Sequence, residues 1–287
     1  MQLHKLTSTD GFIVFDLDDA PAVGIVRLAP KVLRDGAELL ARSTTYAAAS
    51  FELQLRGASG AINAKPDDRD AAVAAFVTEV TELVESDRWL PGPGLGVTAD
   101  DLAPLPRAEQ RATAFDQTAT GESAVAAATG ALGSLDGARV AIVGSGPVAE
   151  AAAAAASGRG ATAEPGAGMD ADCDVLLVAG KAGVLEHDLA ATVKARTVVP
   201  LTPVPVTARA LAVLSRAGTV VVPDFLSTAA PLLAAFAAEG GDPMGRVQAS
   251  VADLAGEGTG LWMAACIRAE EHLRTWQDEL PFGRPLA

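Results

Sequence analysis

The segment Val140-Ala-Ile-Val-Gly144-Ser-Gly146-Pro-Val-Ala149 constrains this chain more than any other. A short apolar run ends in Gly-x-Gly-x-x-Ala and opens into an alanine-rich stretch that favours a helix. Strand, tight glycine turn and helix in that order present backbone N–H groups to paired phosphates. Each position has a physical reason. Gly144 permits the sharp bend, Gly146 lets the backbone approach a phosphate, and Ala149 stands where close helix–strand packing wants a small residue. Pro147 falls at the first helical position, where a missing N–H costs nothing. The main chain of Gly144, Ser145, Gly146, Pro147 and Val148 is therefore expected to line a dinucleotide pyrophosphate. The competing reading is a tight βα turn in a parallel sheet with no ligand.

Glu164 lies twenty residues beyond Gly144, after Ala161-Thr-Ala, which reads as a short second strand. A carboxylate there accepts both ribose hydroxyls and repels a 2′-phosphate, which selects NAD over NADP. Pro165-Gly-Ala-Gly168 follows at once, so that strand is expected to be short.

The flanking sequence supports a layered α/β chain. Strand candidates at 175–178, 197–199 and 219–222 are each followed by Pro or Gly and then a helix-like segment, the alternation of a parallel sheet. Ahead of the turn, 121–135 reads as a small-residue helix. Residues 11–29 read as two strands broken at Asp18-Asp-Ala-Pro21, 31–49 as a helix, and 51–62 as irregular to strand-like with Gly57 and Gly60 as breaks. Val73, Phe76, Val77, Val80 and Leu83-Val84 recur at helical spacing over 71–85. Pro91-Gly-Pro-Gly94 reads as a loop, and 261–280 as one closing helix packing Trp262, Ile267 and Trp276.

Composition narrows the function classes. The chain has 287 residues, enough for two domains, and is 49% apolar with only 4% aromatic residues, which suits α/β layers rich in Ala, Val and Leu. A formal charge of −14, spread along the chain, argues against nucleic acid and anionic membranes as partners. Cys173 and Cys266 read as small core residues, and His4, His187 and His272 lack metal-ligand spacing, so no metal is expected. Without an apolar leader-like run, a cytoplasmic location is expected.

Several further segments resemble the glutamate/leucine/phenylalanine/valine dehydrogenases. They are Leu40-Ala-Arg-Ser-Thr-Thr-Tyr46, Gly57-Ala-Ser-Gly-Ala-Ile-Asn-Ala-Lys-Pro66, Leu95-Gly-Val-Thr-Ala-Asp-Asp-Leu102, the glycine turn and Pro223-Asp-Phe-Leu226, in that order. The resemblance implies an N-terminal α/β substrate domain (1–120 with 259–287) and a doubly wound Rossmann domain (121–258). It also implies a final helix returning to the first domain, a cleft between the two, and self-association through the first domain as a homo-oligomer, a dimer.

The departures from the family pattern are as informative. Where the family has Met-Thr-Tyr-Lys, this chain has Thr44-Thr-Tyr46-Ala47, so the substrate-binding lysine is Ala47. Ser59 stands at the catalytic lysine of Gly-Gly-Gly-Lys-Gly, and Gly94 at the catalytic aspartate of Asp-Val-Gly-Thr. Thr228, Ala230 and Pro231 replace an asparagine and two glycines, and Pro203-Val-Pro205 replaces Ala-Asn-Asn. Retained are the glycine turn, Arg27, and Ser123 at a cofactor-contacting threonine. Each lost acid/base group costs on the order of hundredfold or more in such chemistry. Ordinary oxidative deamination is thus not expected, and the missing clamp implies a small-molecule substrate other than a free α-amino acid.

Three readings follow. One is hydride transfer to or from an imine- or oxo-type small molecule, with Lys181, Tyr46 or Ser59 as the proton donor. Lys181 follows a strand's C-terminal end, where ligands bind in such sheets. Against these roles stand a solvated loop lysine and a packed tyrosine. A second reading is a catalytically inactive pseudo-dehydrogenase acting as a structural or regulatory partner. The third is non-redox chemistry in a reshaped cleft.

Overall fold

The computed structural model describes residues 1–237, 241–256 and 260–287. The chain divides into two compact units, Met1–Phe115 with His272–Pro285, and Asp116–Glu271 with Leu286–Ala287. The domain boundary expected at 258/259 lies outside the described residues.

The first unit runs β1 (Gln2–Lys5), β2 (Gly11–Phe15), β3 (Ala22–Ala29), α1 (Arg34–Ser50), β4 (Arg56–Asn63), α2 (Arg69–Glu85), β5 (Trp89–Pro93) and α3 (Ala108–Ala114). Its sheet has the order β1-β2-β4-β3-β5. β3 is parallel to both neighbours, while β2 is antiparallel to β1 and β4. Because side chains alternate along strands, the sheet has two covered faces. Val14 packs with Ala37 and Ala41 of α1 on one face. Ile13, Val26 and Ile62 pack with Val73, Phe76 and Val80 of α2 on the other. Trp89 is fully buried there, edge-on to Phe15 and Phe76 with centroids 6.2 and 6.0 Å away.

Two sequence expectations need correction here. The stretch read as irregular to strand-like is a regular central strand from Arg56. Gly57 is not a break: a Cβ on it would lie 1.7 Å from the Ala41 carbonyl oxygen, so the glycine is what admits α1 onto β4. Pro91-Gly-Pro-Gly94 is not purely loop, because β5 pairs with β3 through Pro93. β5 is an edge strand, where a proline's missing N–H removes no obligatory ladder bond. The edge strand β1 carried no alternation to announce it; all four of its residues are exposed.

Two polar clusters hold this unit's loops. The Arg42 Nε lies 2.8 Å from each carboxylate oxygen of Asp16, and Nη1 donates to the carbonyls of Phe282 and Gly283. Asp16 is 1% and Arg42 6% exposed, so this is a buried ion pair that also ties down the chain's end. Glu79 of α2 accepts from the N–H and hydroxyl groups of Thr7 and Ser8. Burial opposes its charge, but the Ser8 and Thr7 bonds together prevail and hold its pKa at about 2.

The second unit runs α4 (Gln117–Leu132), β6 (Arg139–Val143), α5 (Pro147–Gly158), β7 (Thr162–Pro165), β8 (Val175–Val178), α6 (His187–Ala190), β9 (Thr197–Pro200), α7 (Ala208–Arg216), β10 (Val220–Val221), α8 (Asp224–Ser227), α9 (Ala230–Phe236) and α10 (Pro243–Ala255). The last helix, α11 (Leu261–Leu273), carries the chain from this unit into the first. The sheet is parallel throughout, with the order β10-β9-β8-β6-β7. Residues 166–174 join β7 to β8 across β6 without a helix, and the apolar side chains of Ala167, Met169 and Ala171 pack on the sheet's core in its place.

The closing helix ends at Leu273, seven residues before the expected Leu280. Trp262 is buried and edge-on to Phe225, with centroids 6.4 Å apart. Ile267 is 36% exposed, contrary to expectation, because Ala265, Cys266, Ala269 and Leu273 form the buried stripe.

Candidate functional site: the turn after the sixth strand

β6 sits where strand order reverses: β7 pairs with one side of it and β8 with the other. Connections from neighbouring strands diverge at such a point and leave a crevice at their C-terminal ends, where α/β sheets bind ligands. The glycine turn lies there.

Its two glycines do different work. Gly144 has φ +96°, and a Cβ on it would sit 2.8 Å from the Ala179 carbonyl oxygen at the end of β8. Gly144 thus allows the ends of β6 and β8 to touch. Gly146 has φ +100° and ψ −178°, a combination open essentially to glycine alone. A Cβ on Gly146 would meet nothing within 4 Å. Its requirement is conformational, and the space beside it is free.

Gly146 is the N-cap of α5 and makes no side-chain cap, and Pro147 lies in the first turn. The positive end of the helix is therefore unscreened by a capping side chain. Ser145 and Pro147 are exposed and Val148 is half-buried. Glu150 places a carboxylate in the same turn and takes up part of that positive field. Behind α5 stands α4, which approaches through Gly121: a Cβ there would lie 2.4 Å from the Val148 carbonyl oxygen.

Glu164 is exposed on β7, in register with Ala141 of β6. Lys181 is exposed in the turn after β8. That turn is pinned by Thr202, whose Oγ1 accepts from Gly180 N–H at 3.1 Å and donates to Gly180 C=O at 2.8 Å. Val204, in the segment Pro203-Val-Pro205, has φ +52°, an uncommon conformation for a β-branched residue. Its N–H donates to the buried Asp224 carboxylate at 3.0 Å, and its carbonyl accepts from Gly183 N–H at 2.9 Å. In the sequence Asp224 and Val204 stand only inside Pro223-Asp-Phe-Leu226 and Pro203-Val-Pro205, with no signal of the bond that joins them.

Ser123 is 0% exposed, and its Oγ accepts from Ala230 N–H at 3.2 Å. It anchors the start of α9. In the first unit, Tyr46 is 1%, Ser59 0% and Ala47 7% exposed. A Cβ at Gly94 would fall 2.6 Å from the Val26 carbonyl oxygen, leaving no room for an aspartate side chain without backbone movement. The expected proton donors Tyr46 and Ser59 are thus enclosed side chains, and Lys181 is the accessible one. Among the described residues no group of three or more His, Cys, Asp or Glu side chains could hold a metal ion, and no helix is long and apolar enough to cross a membrane.

No family model matches the chain, and no curated protein matches it. Solved structures do. The chain is 24% identical to the hetero-hexameric glutamate dehydrogenase of Thermus thermophilus in its leucine-bound form, covering 92% of this chain and 83% of that one with a TM-score of 0.75. Another glutamate dehydrogenase is 18% identical, over 95% and 83% of the two chains, with a TM-score of 0.77. The L-tryptophan dehydrogenase of Nostoc punctiforme is 19% identical, over 96% and 95%, with a TM-score of 0.66. Two α/β units with parallel-rich sheets, joined in this order, are the fold of the amino-acid dehydrogenases.

Proposed function

We propose that the second unit binds a nicotinamide dinucleotide and that the protein moves a hydride to or from an imine or oxo carbon of a small molecule. The observation that carries the proposal is Gly146: a glycine-only conformation opens an uncapped helix at the sheet's switch point, with free space beside it. A fold does not assign a reaction, so the argument rests on the turn. The N–H groups of α5's first turn would hold the pyrophosphate, and Glu164 would accept the ribose hydroxyls and select NAD over NADP.

When bound, the nicotinamide supplies the hydride chemistry. The chain's own residues do the rest. Lys181, beside the C-terminal end of β8, is the accessible ammonium able to give a proton to a developing oxyanion or amine. The Val204–Asp224 bond and the Thr202 bonds to Gly180 fix the loops around it. Ser123 acts indirectly, by seating α9. Oxidative deamination is disfavoured because Ala47, Ser59 and Gly94 offer no ionisable group. The first unit would serve substrate binding and self-association as a dimer, as the family resemblance implies.

The reaction is tested by following NADH loss with panels of 2-oxo acids, cyclic imines and ketones, and NAD reduction with amino acids. Turnover with an imine or ketone that falls about tenfold or more in Lys181→Met supports the proposal. Efficient amino-acid oxidation would refute it. A second reading, a non-catalytic descendant, is favoured by the enclosure of Tyr46 and Ser59; it predicts no turnover with any panel member.

A further inference from the structure

Val204 stands in a conformation that its own side chain resists. Its φ of +52° lies in the left-handed region, which a β-branched residue rarely enters. Pro205 after it favours an extended backbone at 204 instead. Val204 is 1% exposed, so the conformation belongs to the packed interior of the second unit and not to a loose loop. Such an outlier persists only where its surroundings overdetermine it, and outliers gather where a geometry is put to use.

The surroundings here are specific. The Val204 N–H donates to the Asp224 carboxylate at 3.0 Å, and the Val204 carbonyl accepts from Gly183 N–H at 2.9 Å. The angle φ sets how a residue's carbonyl lies relative to its own N–H, so a relaxed Val204 with negative φ could not keep both bonds. Its neighbours extend the grip. The Pro205 carbonyl accepts from Leu185 N–H at 2.9 Å, and Thr202 Oγ1 bonds both backbone groups of Gly180. Residues 202–205 thus hold the turn at Gly180 on one side of Lys181 and at Gly183 and Leu185 on the other. Asp224 offers a fixed point for this. It is 4% exposed at the start of α8, and Phe225, Leu226 and Ser227 beside it are each 0% exposed. Ser227 Oγ donates to the Pro200 carbonyl at the end of β9 at 2.7 Å, which ties α8 to the sheet.

We propose that Asp224 is a positioning residue for Lys181: its carboxylate keeps Val204 left-handed, and the Val204 carbonyl then fixes the turn that carries the lysine. The strain at Val204 is the cost of aiming one carbonyl at Gly183 while its N–H faces the buried acid. The inference deepens the proposed hydride transfer by naming what holds its proton donor, and it rests on that reading only for the donor's role.

The test is amide hydrogen exchange by NMR on the full chain, in a cycle of Asp224→Ala, Val204→Gly and the double variant. Asp224→Asn is the conservative control, because its amide oxygen can still accept from Val204. Labelling of Lys181 with trinitrobenzenesulfonate, read by peptide mass spectrometry, follows the side chain itself. Asp224→Ala is expected to speed exchange at Gly183 about tenfold or more and to change Lys181 labelling about threefold or more, while the β8 amides keep the parent's rates. Asp224→Asn should stay within about twofold of the parent. Once Val204→Gly has made the left-handed conformation easy, Asp224→Ala should alter Gly183 exchange by less than about threefold. Parent-like exchange at Gly183 in Asp224→Ala, a rise shared with the β8 amides, unchanged labelling, Asp224→Asn as impaired as Asp224→Ala, or equal effects in both backgrounds overturns the proposal. Exchange and labelling need no substrate, so absence of turnover counts against the hydride reading alone. With a substrate that turns over, Asp224→Ala should lower kcat about tenfold in the parent and leave Lys181→Met unchanged; an equal loss in both overturns the proposal. Should Asp224→Ala fail to fold, native-state exchange of the parent decides. The Val204, Gly183 and Leu185 amides are expected to open together with one denaturant dependence; opening of Val204 without Gly183 overturns it.

Discussion

Gly144→Ala and Gly146→Ala separate what the turn does for the fold from what it does for a ligand. Both positions have positive φ, so alanine strains the backbone at each by about 1–3 kcal/mol. Loss of glycine's freedom in the unfolded chain returns about 0.4–1 kcal/mol in each case. Only Gly144 adds a collision, 2.8 Å from a backbone oxygen and 2.9 Å from the Ala179 Cβ, and overpacking of that kind costs a further ~1–3 kcal/mol. Gly144→Ala should therefore lose roughly 1–5.5 kcal/mol, and Gly146→Ala at most about 2.5 kcal/mol. In a unit of this size each kcal/mol lowers Tm by about 2–4 °C. Calorimetric melting should place Gly144→Ala several degrees below Gly146→Ala, while NADH titration should show binding weakened in both. Equal melting of the two variants would refute the steric assignment of Gly144. Gly146→Ala with undiminished NADH affinity would refute the claim that its conformation serves a phosphate.

Other outcomes follow from named contacts. Arg42→Met strands a buried carboxylate and should cost about 3–5 kcal/mol, much of it recovered by adding Asp16→Leu; a melt that leaves the single and double variants alike would contradict this. Glu79 has a folded-state pKa of about 2 against an ordinary 4.5. Its contribution is complete above pH 4.5 and is lost as pH falls towards 2, so Glu79→Gln should melt lower than the parent near neutrality and converge with it in acid. A gap between the two that widens on acidification would reverse the assigned sign. Glu164→Ala should weaken NAD more than NADP, read as the ratio of their dissociation constants; an unchanged ratio removes Glu164 from the ribose.

What the sequence disclosed was local. The run from Val140 to Ala149 carries strand, turn and helix in adjacent residues, and each glycine or proline there acts on its own backbone. The second strand was also legible, because Gly166 follows Pro165 and ends it at once. What escaped depended on partners distant in the chain. Gly57 looks like a strand breaker until Ala41 is seen 1.7 Å from its missing side chain. Pro91 and Pro93 argue against a strand until β5 is known to be an edge. Tyr46 and Ser59 have the chemistry of proton donors, and only the packing of α1 with β4 reveals that both are enclosed. Arg27 was visible as a retained residue, but nothing along the chain announces that two of its nitrogens are without acceptors.

Titrating NADH into the full-length protein by calorimetry tests the central claim most directly. The account predicts one saturable site of about micromolar affinity, lost in Gly146→Val. Absence of heat at millimolar NADH, or binding that survives the valine, would contradict it.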